Sequence, residues 1–324
     1  MDRLRPYRKM AVKVARNPYK AVYRINQEVT RLPAYVHTRL RTRELRDQFD
    51  RLRSLRRRDE YLLVVLDACR YDVFADVAPE YLTFETIEAV QSAGRNTFEY
   101  VSRCWPDRYD NVAYLSAATP INSNRREEYD HGTVSQLYGG YVPSEHLPHI
   151  RDVWSESWDE SIGITPPGPV TDAALESDSR RVVAHYFQPH APYIGRRSLL
   201  GHANDEDSRP LEGEAVDVPV WERVKYGDVS RARLRAVYES NLRRALREVA
   251  RLVEATDIDT VAVMGDHGEA LGEYGMYAHP QVDHPQIRTV PWGVVDGMNS
   301  YPDSSDGETT ASSVESRLTD LGYL

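Results

Sequence analysis

Four short apolar runs constrain most strongly what this chain can fold into: "YLLVVLDA" (61–68), "NVAYLSA" (111–117), "RVVAHYFQPH" (181–190) and "DTVAVMGDHG" (259–268). Each is apolar on successive rather than alternate positions and rich in Val, Leu or Tyr, the pattern of a strand covered on both faces. Helical stretches separate them. In the clearest, residues 230–255, Leu234, Val237, Tyr238, Leu242, Leu246 and Val249 recur along one side. Strands alternating with helices predict an α/β fold, a mostly parallel sheet with helices on both faces. Residues 118–180 and 195–229, richer in Gly, Pro, Ser and acidic residues, read as long loops over one edge. Residues 300–313 read as a surface linker before a last short helix, and no internal repeat is visible.

A length of 324 residues suits one large domain with an appendage. Charge marks the appendage. Residues 1–58 hold 18 Lys and Arg against 5 Asp and Glu, leaving 23 basic and 45 acidic residues for the rest. The expected division is a basic helical N-terminal extension (1–58) and an acidic α/β body (59–324). Leu45, Phe49, Leu52 and Leu55 recur at helical spacing within the extension, and Pro18 and Pro33 are expected to break it into pieces. It reads either as a helix packed on its own body or as an arm held by anionic lipid headgroups or an acidic partner. Nucleic acid is not expected, because no aromatic-rich basic motif is present.

Lys9, Lys13, Lys20 and Lys225 are the only lysines. An acidic, lysine-poor body suits a salt-adapted, halophilic protein, since hydrated carboxylates oppose association. Cys69 and Cys104 make no disulfide framework. No apolar run reaches membrane-spanning length, and the first twenty residues lack the apolar core of a secretory signal. The expected location is therefore cytoplasmic, with the arm placing the protein at the inner membrane face.

Three of the apolar runs end in side chains that can bind metal. The first ends in Asp67, the third runs into His190, and the fourth ends in Asp266-His267. Ligands of open parallel sheets bind beyond the carboxyl ends of the strands, so these three ends predict one shared site. An adjacent Asp-His pair supplies a carboxylate and an imidazole for Zn, Mn or a similar ion. Gly268 allows a sharp turn beside it, and His279 lies far enough downstream to return to the same pocket.

The block "GDHGEALGEYGMYAH" (265–279), through Asp266, His267, Gly268, Glu269, Leu271, Gly272, Glu273, Gly275 and His279, resembles the alkaline phosphatase superfamily, in its sulfatase and phosphoglycerol-transferase branch. "VVLDACRYD" resembles that family's first strand, whose terminal acid, here Asp67, binds the metal, with Arg70 and Asp72 echoing residues that often follow it. "HYFQPHAPY" resembles the branch's segment that places His190, and with less support His185, near the transferred group or the leaving oxygen. The resemblance covers about residues 60 to 295 and omits the extension.

The resemblance also implies a nucleophile at the start of a helix aimed at the metal. Thr97, after "SAGRN", stands at such a start; Cys104 stands at the far end, in "CWPDR", which has the C-x-P-x-R spacing of cysteines that sulfatases convert to formylglycine. Asp107 replaces the usual serine there and a strand follows rather than a helix, so Thr97 is assigned the nucleophile and Cys104 a coincidence of spacing. A plain helix N-cap is the alternative for Thr97. The implied metal set is Asp67, Thr97, Asp266 and His267 around one divalent ion, Mn, Zn or Ca; the imidazole weighs against an all-oxygen Ca site. Tyr186 stands four residues before His190, where two-metal relatives have Asp, which argues for a single ion. Arg70 or Arg95 would neutralise oxygens of the transferred group, and His190 or His279 would protonate the departing oxygen.

Other residues read as ordinary. His131, His146, His149 and His202 lie in the loops, Trp154 and Trp158 read as packing or a sugar-stacking rim, and Tyr238 and Asn241 orient the long helix. Asp283 and His284 are placed either beside the metal ligands or away from them. The expected function is cleavage or transfer of a sulfate or phosphate ester, on a glycan or lipid-linked sugar, through a covalent Thr97 ester. The competing expectation is a catalytically silent scaffold or binding subunit of that fold in a glycan-assembly complex. A haloacid-dehalogenase-type phosphatase is disfavoured, since Cys69 occupies the second acid position of its D-x-D motif.

Overall fold

The computed structural model describes residues 18–129, 133–199, 220–225 and 229–298. Residues 1–17, His131, His202 and the expected C-terminal linker and helix lie outside them. The strands are β1 (Arg46–Asp47), β2 (Tyr61–Leu66), β3 (Leu82–Gln91), β4 (Ala113–Ser116), β5 (His149–Arg151), β6 (Arg181–Tyr186), β7 (Val261–Gly265), β8 (Ala270–Leu271), β9 (Tyr277–Ala278) and β10 (Thr289–Met298). Eight of them form one sheet in the order β1-β3-β10-β7-β2-β6-β4-β5, and β8 and β9 form a separate hairpin. The helices that matter for the site are α1 (Pro18–Thr42), α2 (Gln48–Leu55), α3 (Tyr71–Val77), α4 (Thr97–Cys104), α5 (Arg231–Ala255) and α6 (Pro285–Arg288).

All four expected strands form, and the central three lie side by side: β7, β2 and β6 pair in parallel, with Leu66 opposite both Gly265 and Tyr186. Every residue of β2 is buried, as a strand covered on both faces requires. Leu62, Val64 and Leu66 face a core completed by Val73 and Phe74 of α3 and by Leu234, Leu242 and Leu246 of α5. Leu63 and Val65 face the opposite core, with Leu52 and Leu55 of α2 and Tyr100, Val101 and Trp105 of α4. The result is a mixed, mostly parallel sheet between helical layers.

Two long strands are additions to the sequence reading. β3 and β10 pair antiparallel, and β10 also runs antiparallel to β7. Their sequences, "LTFETIEAVQ" and "TVPWGVVDGM", carry polar residues, a proline and two glycines instead of an unbroken apolar run. Long-range pairing rather than local pattern makes them strands.

The extension departs from expectation at Pro33, while its packing on the body is one of the two expected alternatives. Pro33 does not break it, because α1 continues through Pro33 to Thr42. Pro33 is exposed while Ala34 and Thr38 are buried, so the backbone group it leaves unpaired faces water. Residues 46–58 also pack into the body. β1 pairs with β3, and Leu52 and Leu55 sit in a core.

Gln48, at the start of α2, is buried and ties this segment to the centre of the molecule. Its Nε2 donates to the Gly265 carbonyl (2.6 Å) and its Oε1 accepts from the Ala93 N–H (2.9 Å). Gln48→Ala strands both backbone groups, and we expect a loss of about 1–3 kcal/mol, read from the urea midpoint at unchanged slope.

Candidate active site

Asp67 follows β2, Asp266 and His267 follow β7, and both strand ends lie in the centre of the sheet. Thr97 reaches the same place from the start of α4. Asn96 caps that helix, its side chain accepting from the Glu99 N–H (2.9 Å). The Thr97 hydroxyl is therefore not used as a cap. It donates to Asp266 Oδ2 (3.0 Å) and lies 3.5 Å from His267 Nε2. His267 Nε2 is also 3.4 Å from Asp67 Oδ1 and 3.5 Å from Asp266 Oδ2. Four oxygen and nitrogen ligand atoms, all on buried residues, thus converge from three separate chain segments.

The backbone around the cluster is specified closely. Ala68 has a positive φ of 58°, uncommon for a residue with a side chain, and its N–H donates to Asp266 Oδ1 (3.0 Å). The His267 N–H donates to the same oxygen (2.7 Å). Tyr238 of α5 closes the other side, its hydroxyl donating to the Ala68 carbonyl (2.7 Å) and accepting from the Arg70 N–H (2.9 Å). Asn241, one turn along, accepts from Ile194 N–H (3.0 Å) and donates to the His190 carbonyl (3.0 Å). One helix face thus fixes both the Asp67 loop and the His190 loop. At Gly268 a Cβ would stand 1.9 Å from the Gln286 carbonyl, so close approach of α6 is what requires glycine there.

The electrostatics call for a positive charge between the carboxylates. Burial works to raise Asp67, but the His267 imidazole facing it at 3.4 Å and the neighbouring histidines outweigh it and lower that carboxyl to about 2. Burial, with repulsion from Asp67, pushes Asp266 up to about 7. Burial opposes a charge on His267, yet Asp266 and Asp67 raise it to about 10. Its Nδ1 donates to the Gly268 carbonyl (2.9 Å), which turns Nε2 toward the acids. A proton on Nε2 offsets one of the two carboxylate charges. A divalent cation fits the same position, where Asp67 Oδ1 is buried without a hydrogen-bond partner.

His185 was weighed from sequence only as a neighbour of the transferred group. In β6 it comes within reach of the acids: one ligand atom each from Asp67, His185 and Asp266 lie within 4.8 Å of one another. Its Nδ1 meets the Tyr114 hydroxyl (2.9 Å), its Nε2 is buried and unpartnered, and burial lowers it to about 4. Glu269 is the other group given no role from sequence. Both its carboxylate oxygens are buried without partners, and burial raises it to about 8. Only its place in the motif could have drawn attention to it.

His190 and His279 meet beside the cluster, their Nε2 atoms 3.2 Å apart, and the His279 ring lies 4.8 Å from that of His267. Burial lowers both. A nearby anion would act in the opposite sense and raise them. Arg70 is turned to partners within the chain. Its buried guanidinium is forked onto Asp72 (2.8 Å at both oxygens) and bonded to Glu273 (2.8 Å) and the Glu269 carbonyl (3.2 Å), which ties the Asp67 loop to the β8–β9 hairpin. Arg95 is held by Glu99 and by the Gln281 carbonyl (3.2 Å).

Cys104 lies at the far end of α4, roughly 10 Å along the helix from Thr97 by its rise per residue. It is fully buried, and burial pushes its thiol up. His284 caps α6, its side chain accepting from the Gln286 N–H (3.1 Å), and Asp283 lies 3.8 Å from Arg288. His146 stacks on Tyr141, and His149 is exposed in β5.

No protein-family model and no curated protein matches this chain. Solved structures similar to it include the soluble domain of lipooligosaccharide phosphoethanolamine transferase A from Neisseria meningitidis, at 17% identity over 74% of this chain and 76% of that one, TM-score 0.46. The C-terminal periplasmic domain of phosphoethanolamine transferase EptC from Campylobacter jejuni is 14% identical over 74% and 79%, TM-score 0.40. The phosphonate monoester hydrolase of Agrobacterium radiobacter is 13% identical over 73% and 68%, TM-score 0.41. All three are alkaline phosphatase superfamily proteins, the group whose motifs the sequence resembles. At these similarities no residue's role passes from them to this chain.

Two outcomes follow from the packing. Gly268→Ala must displace α6 from the Asp266–His267 turn, so we expect about 1–3 kcal/mol of destabilisation together with weakened divalent-metal binding, read by thermal melting with and without Mn or Zn. Arg70 stabilises through two carboxylates. Burial alone would raise Asp72 and Glu273, but Arg70 outweighs it and holds both below ordinary values. Their contribution is present above the unfolded pKa and lost as pH falls through the lower folded values. Arg70→Ala should therefore cost about 3–5 kcal/mol at neutral pH, with the gap to wild type narrowing below about pH 4 in urea titrations.

Proposed function

We propose that this protein is a metal-dependent enzyme that moves a sulfuryl or phosphoryl group from an ester, through a covalent Thr97 intermediate, to water or an acceptor hydroxyl. The observation that carries this reading is the Thr97 hydroxyl, released from capping by Asn96 and bonded to Asp266 within reach of His267 and the strand end at Asp67. Asp67, Asp266 and His267 would hold one Mn, Zn or Ca ion, with His185 as a further ligand. When bound, the cation lowers the pKa of a nearby hydroxyl and neutralises oxygens of the transferred group.

The residues of the chain supply the rest. Thr97 forms a bond from Oγ to sulfur or phosphorus as the ester oxygen leaves with the bonding pair. The hydroxyl proton passes to Asp266 Oδ2, its hydrogen-bond acceptor. The departing oxygen takes a proton from the His190–His279 pair once the anion has raised it. Water or an acceptor hydroxyl then attacks the sulfur or phosphorus of the Thr97 ester and gives its proton to the pair, while Thr97 Oγ leaves with the bonding electrons and takes back the proton held at Asp266 Oδ2. The N-terminus of α4 favours the anion throughout. We propose as substrate a sulfated or phosphorylated glycan or lipid-linked sugar handled at the cytoplasmic face of a membrane. The basic extension supports that choice.

The test uses purified protein with aryl sulfate and aryl phosphate esters and measures its metal content. Thr97→Ala should lower turnover by about a thousandfold or more while divalent-metal content stays. Asp266→Ala should lose both. Cys104→Ser should leave turnover unchanged. Mass spectrometry of quenched protein should find a sulfuryl or phosphoryl adduct on the Thr97 peptide. Metal-free protein inert to both ester classes, or an adduct on Cys104, overturns the reading.

A further inference from the structure

Helix α1 presents its apolar side chains to solvent. It buries Ala34, Thr38 and Thr42, four residues apart, against the body. Ala34 packs with Ala270, Met276 and Ile287, and His37 bonds the Tyr274 hydroxyl. Its larger apolar residues are left out: Ile25, Val29, Leu32, Val36 and Leu40 are 64, 68, 69, 46 and 68% exposed. Spacings of four, three, four and four place these five on one stripe. Scattered exposed leucines are ordinary, but a continuous stripe on a docked helix marks a contact surface.

Charge identifies the occupant. Arg31, Arg39, Arg41 and Arg43 are exposed on the same segment, within an N-terminal region carrying 18 basic and 5 acidic residues. Two such arms repel each other, whereas an anionic surface attracts them. No helix among the described residues is long and apolar enough to cross a membrane. An apolar stripe on an arginine-rich helix is the pattern of a helix lying in the headgroup boundary, with long guanidinium side chains reaching toward lipid phosphates. The position of α1 adds function. A cavity of about 390 Å³ separates Arg31, Leu32 and Tyr35 of α1 from Arg95, Gln281 and Asp283. Arg95 is two residues from Thr97, and Gln281 is two from His279.

We propose that α1 lies on an anionic lipid surface through the Ile25–Leu40 stripe, so that the surface borders the cavity beside the Thr97–His279 cluster. This rests on the exposed face and its charge, not on the ester-transfer reading, and its test involves no turnover.

The full chain is floated with phosphatidylcholine vesicles lacking or containing phosphatidylglycerol, across a salt series. Wild type should bind the anionic vesicles more tightly, and added salt should erode that preference as the Debye length shortens. Leu32→Asp/Val36→Asp should weaken binding by about tenfold or more at an unchanged melting temperature. Arg31→Glu/Arg41→Glu, which leaves the stripe intact, should remove the preference for anionic vesicles. Equal binding to both vesicle types, or a stripe variant that binds as wild type does, overturns the proposal. So does a dimer in sedimentation equilibrium that the stripe variant dissociates, since the face would then belong to a second copy.

Discussion

Two buried carboxylates, Asp67 and Asp266, stand at the ends of neighbouring parallel strands, and the centre of the molecule is arranged around the positive charge they require. His267 lies between them with its Nδ1 committed to the Gly268 carbonyl, leaving Nε2 for a proton or a metal. Repulsion and burial push Asp266 up, and the same pair raises His267. Such a cluster is costly to hold without a counter-charge, and a divalent cation would supply one.

Holding the cluster explains otherwise unrelated features of the surrounding structure. The positive φ of Ala68 aims an N–H at Asp266, and Tyr238 and Asn241 brace the loops after β2 and β6 from a single helix face. Arg70 joins the β2 loop to the hairpin that carries His279, with Asp72 and Glu273 balancing its buried charge. Gly268 lets α6 close over the turn. Local strain at Ala68, and at Ala278 beside His279, is sustained by this bracing.

The extension belongs to the same construction. Gln48 reaches the carbonyl of Gly265, the residue before Asp266, and α1 packs on the hairpin leading to His279. A segment distinguished in the sequence by its charge is therefore part of the wall of the site. The face it leaves uncovered is apolar, on a segment rich in exposed arginine.

Much of this was legible beforehand for a physical reason. Strands buried on both faces must be apolar throughout, so β2, β4, β6 and β7 announced themselves, and polar residues at their carboxyl ends marked the site. The sequence by itself determined the parallel centre of the sheet and the long α5, and its motifs pointed to Asp67, Thr97, Asp266 and His267 as groups that would meet, as their side chains do. Tertiary structure alone decided the antiparallel β3 and β10, whose polar, proline-containing sequences become strands only through distant partners. It also decided that Arg70 is consumed by Asp72 and Glu273 and that His185 reaches the acids from within a strand. The reason is the same in each case. Side-chain type and spacing are local, whereas the partner that occupies a guanidinium or faces an imidazole comes from another part of the chain.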